Sequence, residues 1–226
     1  MSELFSQDEV RRALSTMLEP GAVFEVRAVD ARLSSNYRSG IISGYFDNAD
    51  ACLSELEKLV SAMGVCITLN PVNRALLSRR ANRLAYAERN ALTGDQHILR
   101  RRWLLLDVDF VRPSGISTTD AEKALTRKKA HEIYDYLASR GWPSPIAADS
   151  GNAYHLDYRI DLPCDDGGLI EKVLSGLADR FDGDGVKLDR GVHNPSRIIK
   201  LYGTLACKGD NTEERPWRLS KILKGA

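Results

Sequence analysis

One apolar segment that ends in two acidic residues constrains the fold most: Trp103-Leu104-Leu105-Leu106-Asp107-Val108-Asp109. The apolar run predicts a β-strand, and side chains two residues apart in a strand project from the same face. The carboxylates of Asp107 and Asp109 would therefore lie side by side, where their like charges need a cation. A hard divalent ion bound by carboxylates and substrate phosphates satisfies such a pair. The alternative is a strand terminus or helix cap whose carboxylates are only solvated.

Composition indicates one globular module, because the 226 residues are 43% hydrophobic and 28% charged. The four cysteines stand singly, without a Cys-x-x-Cys pair, so neither a structural zinc nor a disulfide framework is expected. No apolar run approaches the roughly 18 residues of a membrane span, and the N-terminus lacks the pattern of a signal peptide. These features predict a soluble cytoplasmic protein with no membrane partner.

A basic segment precedes the acidic strand. Residues 70–102 contain eight arginines and two acidic residues, which leaves a local charge of +6 in a chain of net charge +1. Arginine is favoured for contacts with phosphate, although such a run is also typical of a solvated helix face beside a basic strand flank. Arg79, Arg80 and Arg83 would share one face if the segment is helical. The role of Arg100 to Arg102 stays open between nucleic-acid contact and solvation.

The residues before the acidic strand predict an N-terminal α/β lobe over residues 1–100. Capping signals begin its helices, and alternating apolar residues mark its strands. In chain order we expect a helix from Ser6 to Pro20-Gly21, a hairpin of strands 23–28 and 39–46, a helix from Asp47-Asn48 to Gly64, and a strand at 65–69.

The rest of the chain, residues 101–226, predicts a second lobe with the order β-α-β-β-α-β. This is the ferredoxin-like arrangement of RNA-recognition modules and polymerase palms. In that sheet order the first strand is central, between the third and the last. The expected elements are strand 103–110, helix 119–141, strands 145–149 and 153–160, helix 165–181 and strand 186–188, with strands at 198–202 and 217–219 completing the lobe.

Three carboxylates would then converge at one end of the second sheet. Asp107 and Asp109 lie on the central strand, and Asp189 ends the neighbouring one. Three such groups suit a site for two metal ions that catalyses phosphoryl transfer. Asp157 lies on the same face of the predicted strand as His155. It is either a fourth metal ligand or a solvated or paired residue.

Two further motifs carry groups that suit phosphate. The turn Ser150-Gly151-Asn152 has backbone amides that can bind phosphate oxygens, and His155 follows it as a possible donor. Farther along, Arg197 and Lys200 lie three residues apart around the start of a strand, where two cations could neutralise a triphosphate.

The order of these motifs resembles the archaeo-eukaryotic primase superfamily, particularly the bacterial, plasmid and phage primase-polymerases. The resemblance rests on Asp-x-Asp, on Ser-Gly-Asn-x-x-His, and on an aspartate followed by Asn-Pro-Ser-Arg and Lys-Leu-x-Gly-Thr. Ile67-Thr68-Leu69-Asn70-Pro71-Val72-Asn73 extends it into the first lobe, so that it covers roughly residues 20–220. Ala153 stands where relatives often have glycine, and Tyr202 where many have proline. Neither departure removes a chemical group.

The resemblance implies a two-lobed α+β primase-polymerase core, in which an N-terminal α/β lobe packs on a ferredoxin- or RRM-like catalytic lobe. Asp107, Asp109 and Asp189 would bind two Mg²⁺ or Mn²⁺ ions. The residues implied to bind the nucleotide and its triphosphate are Ser150, Gly151, Asn152, His155, Arg197 and Lys200. The residues implied to face the template are Arg74, Arg79, Arg80, Arg83 and Asn194.

The function that follows is DNA-template-dependent nucleotidyl transfer, with primer synthesis and extension on single-stranded DNA from NTP or dNTP substrates. Two alternatives stay open: a nucleotidyl cyclase, which shares the palm and the paired aspartates, and a non-catalytic module that binds single-stranded nucleic acid. A helicase or accessory domain, in cis or in trans, is a further candidate partner. The sequence does not distinguish DNA from RNA products or mark a site for the initiating nucleotide.

Overall fold

The computed structural model describes residues 4–224, and their architecture is α+β with two antiparallel five-stranded sheets. In chain order its helices and strands are α1 (Gln7–Met17), β1 (Phe24–Ala31), β2 (Gly40–Phe46), α2 (Ala49–Leu56), β3 (Gly64–Thr68), β4 (Ala85–Tyr86), β5 (Arg101–Phe110), α3 (Asp120–Ser139), β6 (Ile146–Asp149), β7 (Tyr154–Leu162), α4 (Leu169–Phe181), β8 (Val186–Leu188), β9 (Ile198–Lys200), β10 (Leu205–Ala206), β11 (Arg218–Leu219) and β12 (Lys221–Lys224).

The first sheet has the strand order β4-β2-β1-β3-β9. The predicted hairpin is confirmed, because β1 pairs with β2 in an antiparallel register that sets Phe24 opposite Phe46. Helix α1 begins where the sequence predicts it, since the Ser6 hydroxyl caps it by accepting from the amide of Glu9. Its apolar side, with Val10, Leu14 and Met17, is buried in the core.

The second sheet has the order β12-β6-β7-β5-β8, and β5 lies in its interior between β7 and β8. This confirms the predicted neighbours of the acidic strand. The register sets Asp107 directly opposite His155 on β7 and Asp109 opposite Lys187 on β8. Helix α3 begins with the predicted capping box, in which Thr119 and Glu122 bond each other's backbone amides. The two sheets share one continuous apolar core.

The prediction that the strand near residue 198 completes the second lobe is wrong. Strand β9 pairs instead with β3 of the first sheet, with Ile199 opposite Ile67. The local pattern specifies a strand, but its partner is set by which sheet edge has unpaired backbone groups within reach. A cut of the chain at residue 100 would therefore remove β9 from the sheet that it completes.

Two smaller boundaries also differ from the predictions. Helix α2 ends at Leu56, short of Gly64, because the amide of Val60 donates to the carbonyl of Arg32 (2.8 Å) and pulls the chain toward β1. At the end of the chain, β11 pairs only with β10, whereas β12 forms the edge of the second sheet beside β6.

The basic segment is not a regular helix. Arg74–Arg79 form a short 3₁₀ helix, Arg80 follows at its end, and Arg83 lies beyond it. The condition for a shared helix face of Arg79, Arg80 and Arg83 is therefore not met. Within the described range 4–224, no helix is long and apolar enough to cross a membrane.

The glycine in the Lys-Leu-x-Gly-Thr motif has a packing role that predicts a stability effect. Gly203 has φ +94°, and an added Cβ would lie 2.5 Å from the amide nitrogen of Val10. We expect Gly203→Ala to lower the free energy of unfolding by about 2–4 kcal/mol, because both the conformation and the contact are strained. Gly176→Ala is the matched control: it lies in α4 with open space around it, and should stabilise by about 0.5–1 kcal/mol. Urea unfolding of both variants measures the difference, and equal effects would contradict this account.

Candidate active site

A cleft of about 250 Å³ lies between the two sheets. Its floor is the acidic end of β5, and Gly64 and Cys66 of β3 line the opposite wall. The predicted site residues that the fold brings together here are Asp107, Asp109, Ser150, Asn152, His155, Asp189, Arg197 and Lys200. Their elements are far apart in sequence and meet because β5 lies between β7 and β8 while β9 joins the facing sheet.

Asp107 is the most constrained carboxylate of the cleft. Its Oδ1 is buried and, within residues 4–224, has no hydrogen-bond partner. The Nε2 atom of His155 lies 3.4 Å from that oxygen. Burial would raise the pKa of Asp107, but the neighbouring His155 and the cations Lys208 and Arg197 outweigh it and hold the pKa below its ordinary value. Asp107 is therefore a carboxylate kept ionised in a half-enclosed site.

Asp109 lines the same cleft, but one of its oxygens is bonded to residues at the end of β5. Its Oδ1 accepts from Arg112 Nη1 at 2.6 Å and from the amide of Phe110 at 2.9 Å. Asp189 is held by backbone contacts: its amide donates to the carbonyl of Asp107 (2.8 Å), and its Oδ1 accepts from the amide of Gly191 (2.8 Å). The second and third carboxylates thus each keep one oxygen in a structural contact.

The fit of these carboxylates to a divalent ion is partial. Among the residues described, no three His, Cys, Asp or Glu side chains are close enough to hold an ion together, so the expected cluster of three carboxylates is not preassembled. Asp107 and Asp109 nevertheless line the same cleft, and both offer hard oxygen ligands. Mg²⁺ is commonly bound by one or two carboxylates together with substrate phosphates and water, and this pair suits that mode.

His155 is one end of a buried chain of hydrogen bonds. Its Nδ1 lies 2.9 Å from the hydroxyl of Tyr202, which donates to Asp157 Oδ2 at 2.7 Å. Burial would lower the pKa of His155, but the adjacent carboxylates, Asp107 first, outweigh burial and raise it. The ring is therefore poised to carry positive charge beside the cleft.

The Ser150-Gly151-Asn152 turn does not offer the free amides that its sequence suggests. The Gly151 amide donates to Asp149 Oδ1 (2.7 Å), and the Ser150 hydroxyl accepts from the Ala153 amide (3.0 Å). Asn152 Oδ1 accepts from the amide of Thr118 (2.9 Å), which ties the turn to the start of α3. The turn is thus a rigid wall of the cleft.

Buried Lys123 fixes that wall from behind. Its Nζ donates to both carboxylate oxygens of Asp149 (2.7 and 2.6 Å) and to the carbonyl of Gly151 (3.1 Å). Gly151 itself has φ +97°, and an added Cβ would come within 2.6 Å of the Ala206 side chain. Only glycine fits this point of the turn.

Arg197 and Lys200, the cations predicted for the cleft, both line it, and each donates to a backbone carbonyl. Arg197 donates to the carbonyl of Gly191, which ties it to the turn that carries Asp189. Lys200 donates to the carbonyl of Leu205 (2.8 Å), and burial lowers its pKa to about 8. Lys208 also lines the cleft and helps to lower the pKa of Asp107. Sequence reasoning missed Lys208, because no motif marks it.

Most of the predicted template arginines make structural contacts. Arg74 donates to the carbonyl of Gly21 (3.0 Å), Arg79 to that of Ala91 (3.3 Å), and Arg80 to those of Ser43 and Ala85 (both 3.3 Å). Arg83 is exposed. Asn194 donates to Ser196 Oγ (3.0 Å), two residues farther along the same loop.

The arginines that begin β5 also have internal partners. Arg100 and Arg102 both bind Asp161. Arg101 is buried, with Nε donating to the carbonyl of Cys164 (3.1 Å) and Nη1 to that of His193 (2.6 Å). Arg101 therefore holds the loop that follows Asp189.

No family model matches the chain, and no curated protein matches it in sequence. Solved structures of similar fold include two polymerase domains. The AEP domain of the primase-polymerase (PrimPol) of cyanophage S-2L is 13% identical, with a TM-score of 0.51 over 99% of this chain and 92% of that chain. The polymerase domain of Mycobacterium tuberculosis Ligase D, in complex with DNA, is 16% identical, with a TM-score of 0.50 over 94% of this chain and 79% of that chain.

These likenesses define the class of fold. The two-sheet α+β architecture is similar to that of these two domains, so the fold that the sequence resemblance implies is confirmed.

The buried Asp157 predicts a pH dependence of stability. Burial raises the pKa of Asp157 to about 6, above the ordinary 3.8, so folding favours its protonated form. Stability should therefore fall as pH rises from about 4 through 6, by roughly 3 kcal/mol from this group. Asp157→Asn keeps an acceptor for Tyr202 but cannot ionise, so its free energy of unfolding should fall less over this range. Urea unfolding at several pH values measures the slopes. Asp210→Asn, in an exposed loop, should keep the wild-type slope, and an unchanged slope in Asp157→Asn would refute the assignment.

Proposed function

We propose that this protein is a template-dependent nucleotidyltransferase: a DNA primase-polymerase that makes primers on single-stranded DNA and extends them. The observation that carries the proposal is the cleft between the two sheets. There the carboxylates of Asp107 and Asp109 face Arg197 and Lys208, with His155 beside them. Acidic groups for a metal and basic groups for a triphosphate in one cleft are what phosphoryl transfer requires.

Asp107 and Asp109 would bind Mg²⁺ or Mn²⁺, and Asp189 would contribute if the turn that carries it moves toward them. When bound, such ions neutralise the charge of the triphosphate and lower the pKa of the attacking hydroxyl. The protein's own groups then orient the substrate. Arg197 and Lys208 attract the phosphates, and His155 donates to a phosphate oxygen through Nε2.

The reaction forms one bond and breaks one. The 3′-hydroxyl oxygen of the primer, or of an initiating nucleotide, attacks the α-phosphorus of the incoming nucleotide. The bond from that phosphorus to the bridging oxygen breaks, pyrophosphate leaves, and the hydroxyl proton passes to solvent. The rigid Ser150–Asn152 wall, which Lys123 supports, would keep the nucleotide in line for this attack.

The template would enter along the first sheet. Arg74, Arg79 and Arg83 are exposed in the basic segment and are the candidates to contact phosphate in solution. Arg80 would act indirectly, since its contacts with the carbonyls of Ser43 and Ala85 hold the loops of this lobe in place.

The carboxylate pair gives a direct test of the proposal. Asp107→Asn and Asp109→Asn should each lower primer synthesis and extension at least about a thousandfold, because each removes a charge that would bind the metal. The measurement is incorporation of labelled NTPs and dNTPs on single-stranded DNA with Mg²⁺ or Mn²⁺. Asp135→Asn, on the exposed side of α3, is the control and should keep full activity. Full activity in an Asp107→Asn, Asp109→Asn double variant would rule the proposal out.

The same assay separates the two other functions. A cyclic product from ATP or GTP alone would favour a nucleotidyl cyclase. Binding of single-stranded DNA that needs no divalent metal, together with no synthesis, would favour a non-catalytic binding module.

A further inference from the structure

We propose that Asp157 and Tyr202 are positioning residues that fix the orientation of His155, so that its Nε2 faces the phosphates of the incoming nucleotide. The inference rests on the proposed function for the identity of the ligand, and on the hydrogen-bond geometry for the roles of the two residues. Neither residue lines the cleft itself.

The three side chains form one linear network. Asp157 lies two residues after His155 on β7, so both project from the same face of the second sheet. The hydroxyl of Tyr202 lies between them, 2.9 Å from His155 Nδ1 and 2.7 Å from Asp157 Oδ2. Asp157 and Tyr202 are fully buried, and His155 is 5% exposed. Water is thus shut out of the network except at the Nε2 end.

The hydrogen positions follow from this arrangement. A tyrosine hydroxyl has one hydrogen, and above about pH 6 the carboxylate of Asp157 is ionised and can only accept, so Tyr202 donates to Asp157. The phenol oxygen must then accept from His155, which puts a hydrogen on Nδ1. Nε2 lies 3.4 Å from Asp107 Oδ1, and in the doubly protonated ring it carries the hydrogen that a phosphate oxygen in the cleft would accept. A second hydrogen-bond partner commonly fixes the orientation of a functional histidine in this way.

The position of Tyr202 makes the network more than a local contact. Tyr202 follows β9, which belongs to the first sheet, whereas His155 and Asp157 belong to the second. Its ring also packs edge-on against the imidazole, with centroids 5.8 Å apart. Since proline at this position would provide no hydroxyl, the network is a property of this sequence. It connects the catalytic histidine to the strand that closes the cleft from the other side.

Tyr202→Phe tests the inference, because it removes only the hydroxyl. We expect KM for the incoming nucleotide to rise about tenfold, with kcat changed less than about threefold and the Kd for single-stranded DNA unchanged. In a His155→Ala background the same change should not weaken nucleotide binding any further, since the group that it positions is gone. Binding of a fluorescent nucleotide by the four proteins of this double-mutant cycle measures the coupling.

The matched control is Tyr158→Phe. Tyr158 is a buried tyrosine on the same strand, and its hydroxyl has no hydrogen-bond partner among the residues described. This variant should keep the wild-type KM, and thermal unfolding of both phenylalanine variants checks that each is folded. An equal rise of KM in both, or a Tyr202→Phe effect that persists without His155, would overturn the inference.

A spectroscopic measurement tests the tautomer without reference to activity. In ¹⁵N NMR of the neutral imidazole, wild-type His155 should carry its hydrogen on Nδ1, and Tyr202→Phe should move it to Nε2, where Asp107 is the remaining acceptor. The same tautomer in both proteins would refute the positioning role even if the enzyme is a polymerase. If the wild type makes no product, the proposed function fails, whereas the NMR result still decides the role of Tyr202.

Discussion

Charge balance at the end of β5 is the constraint on which the cleft depends. A strand in the interior of a sheet carries two carboxylates into a partly enclosed space, where an unbalanced charge is costly. The fold supplies the balance from several directions: His155 on β7, Arg112 just beyond β5, and Arg197 and Lys208 farther along the chain. One oxygen of Asp107 is left without a hydrogen-bond partner among the residues described, and Asp107 lines the cleft.

The geometry of the cleft is held by residues that do not line it. Lys123 fixes the Ser150–Asn152 turn through Asp149, and Arg101 holds the loop after Asp189 through the carbonyl of His193. Both cations are buried, and both bond to backbone carbonyls as well as to carboxylates. Such contacts keep loops in one conformation, and a site that must align a hydroxyl with a phosphorus benefits from that rigidity.

Much of the fold was predictable from the sequence. Apolar periodicity located α1, the β1–β2 hairpin and the β-α-β-β-α-β order, and the capping boxes marked where α1 and α3 begin. The predictions failed where backbone pairing decides: β9 joined the first sheet, and the basic segment became a 3₁₀ turn tied down by carbonyl contacts. Composition does not show whether an arginine is exposed, as Arg83 is, or bonded to backbone carbonyls, as Arg80 is.

The sequence by itself determined the chemistry of the site: the paired aspartates, the glycine-containing turn, His155 and the cations after Asp189, in an order that resembles one superfamily. Only the tertiary structure decided how these groups are used. In the folded chain the Gly151 amide bonds to Asp149 and not to a ligand, and Lys208 lines the cleft. Tyr202 links His155 to Asp157. The physical reason is that local pattern sets the direction of a side chain along its own strand, whereas its partner comes from a distant strand that the pattern does not specify.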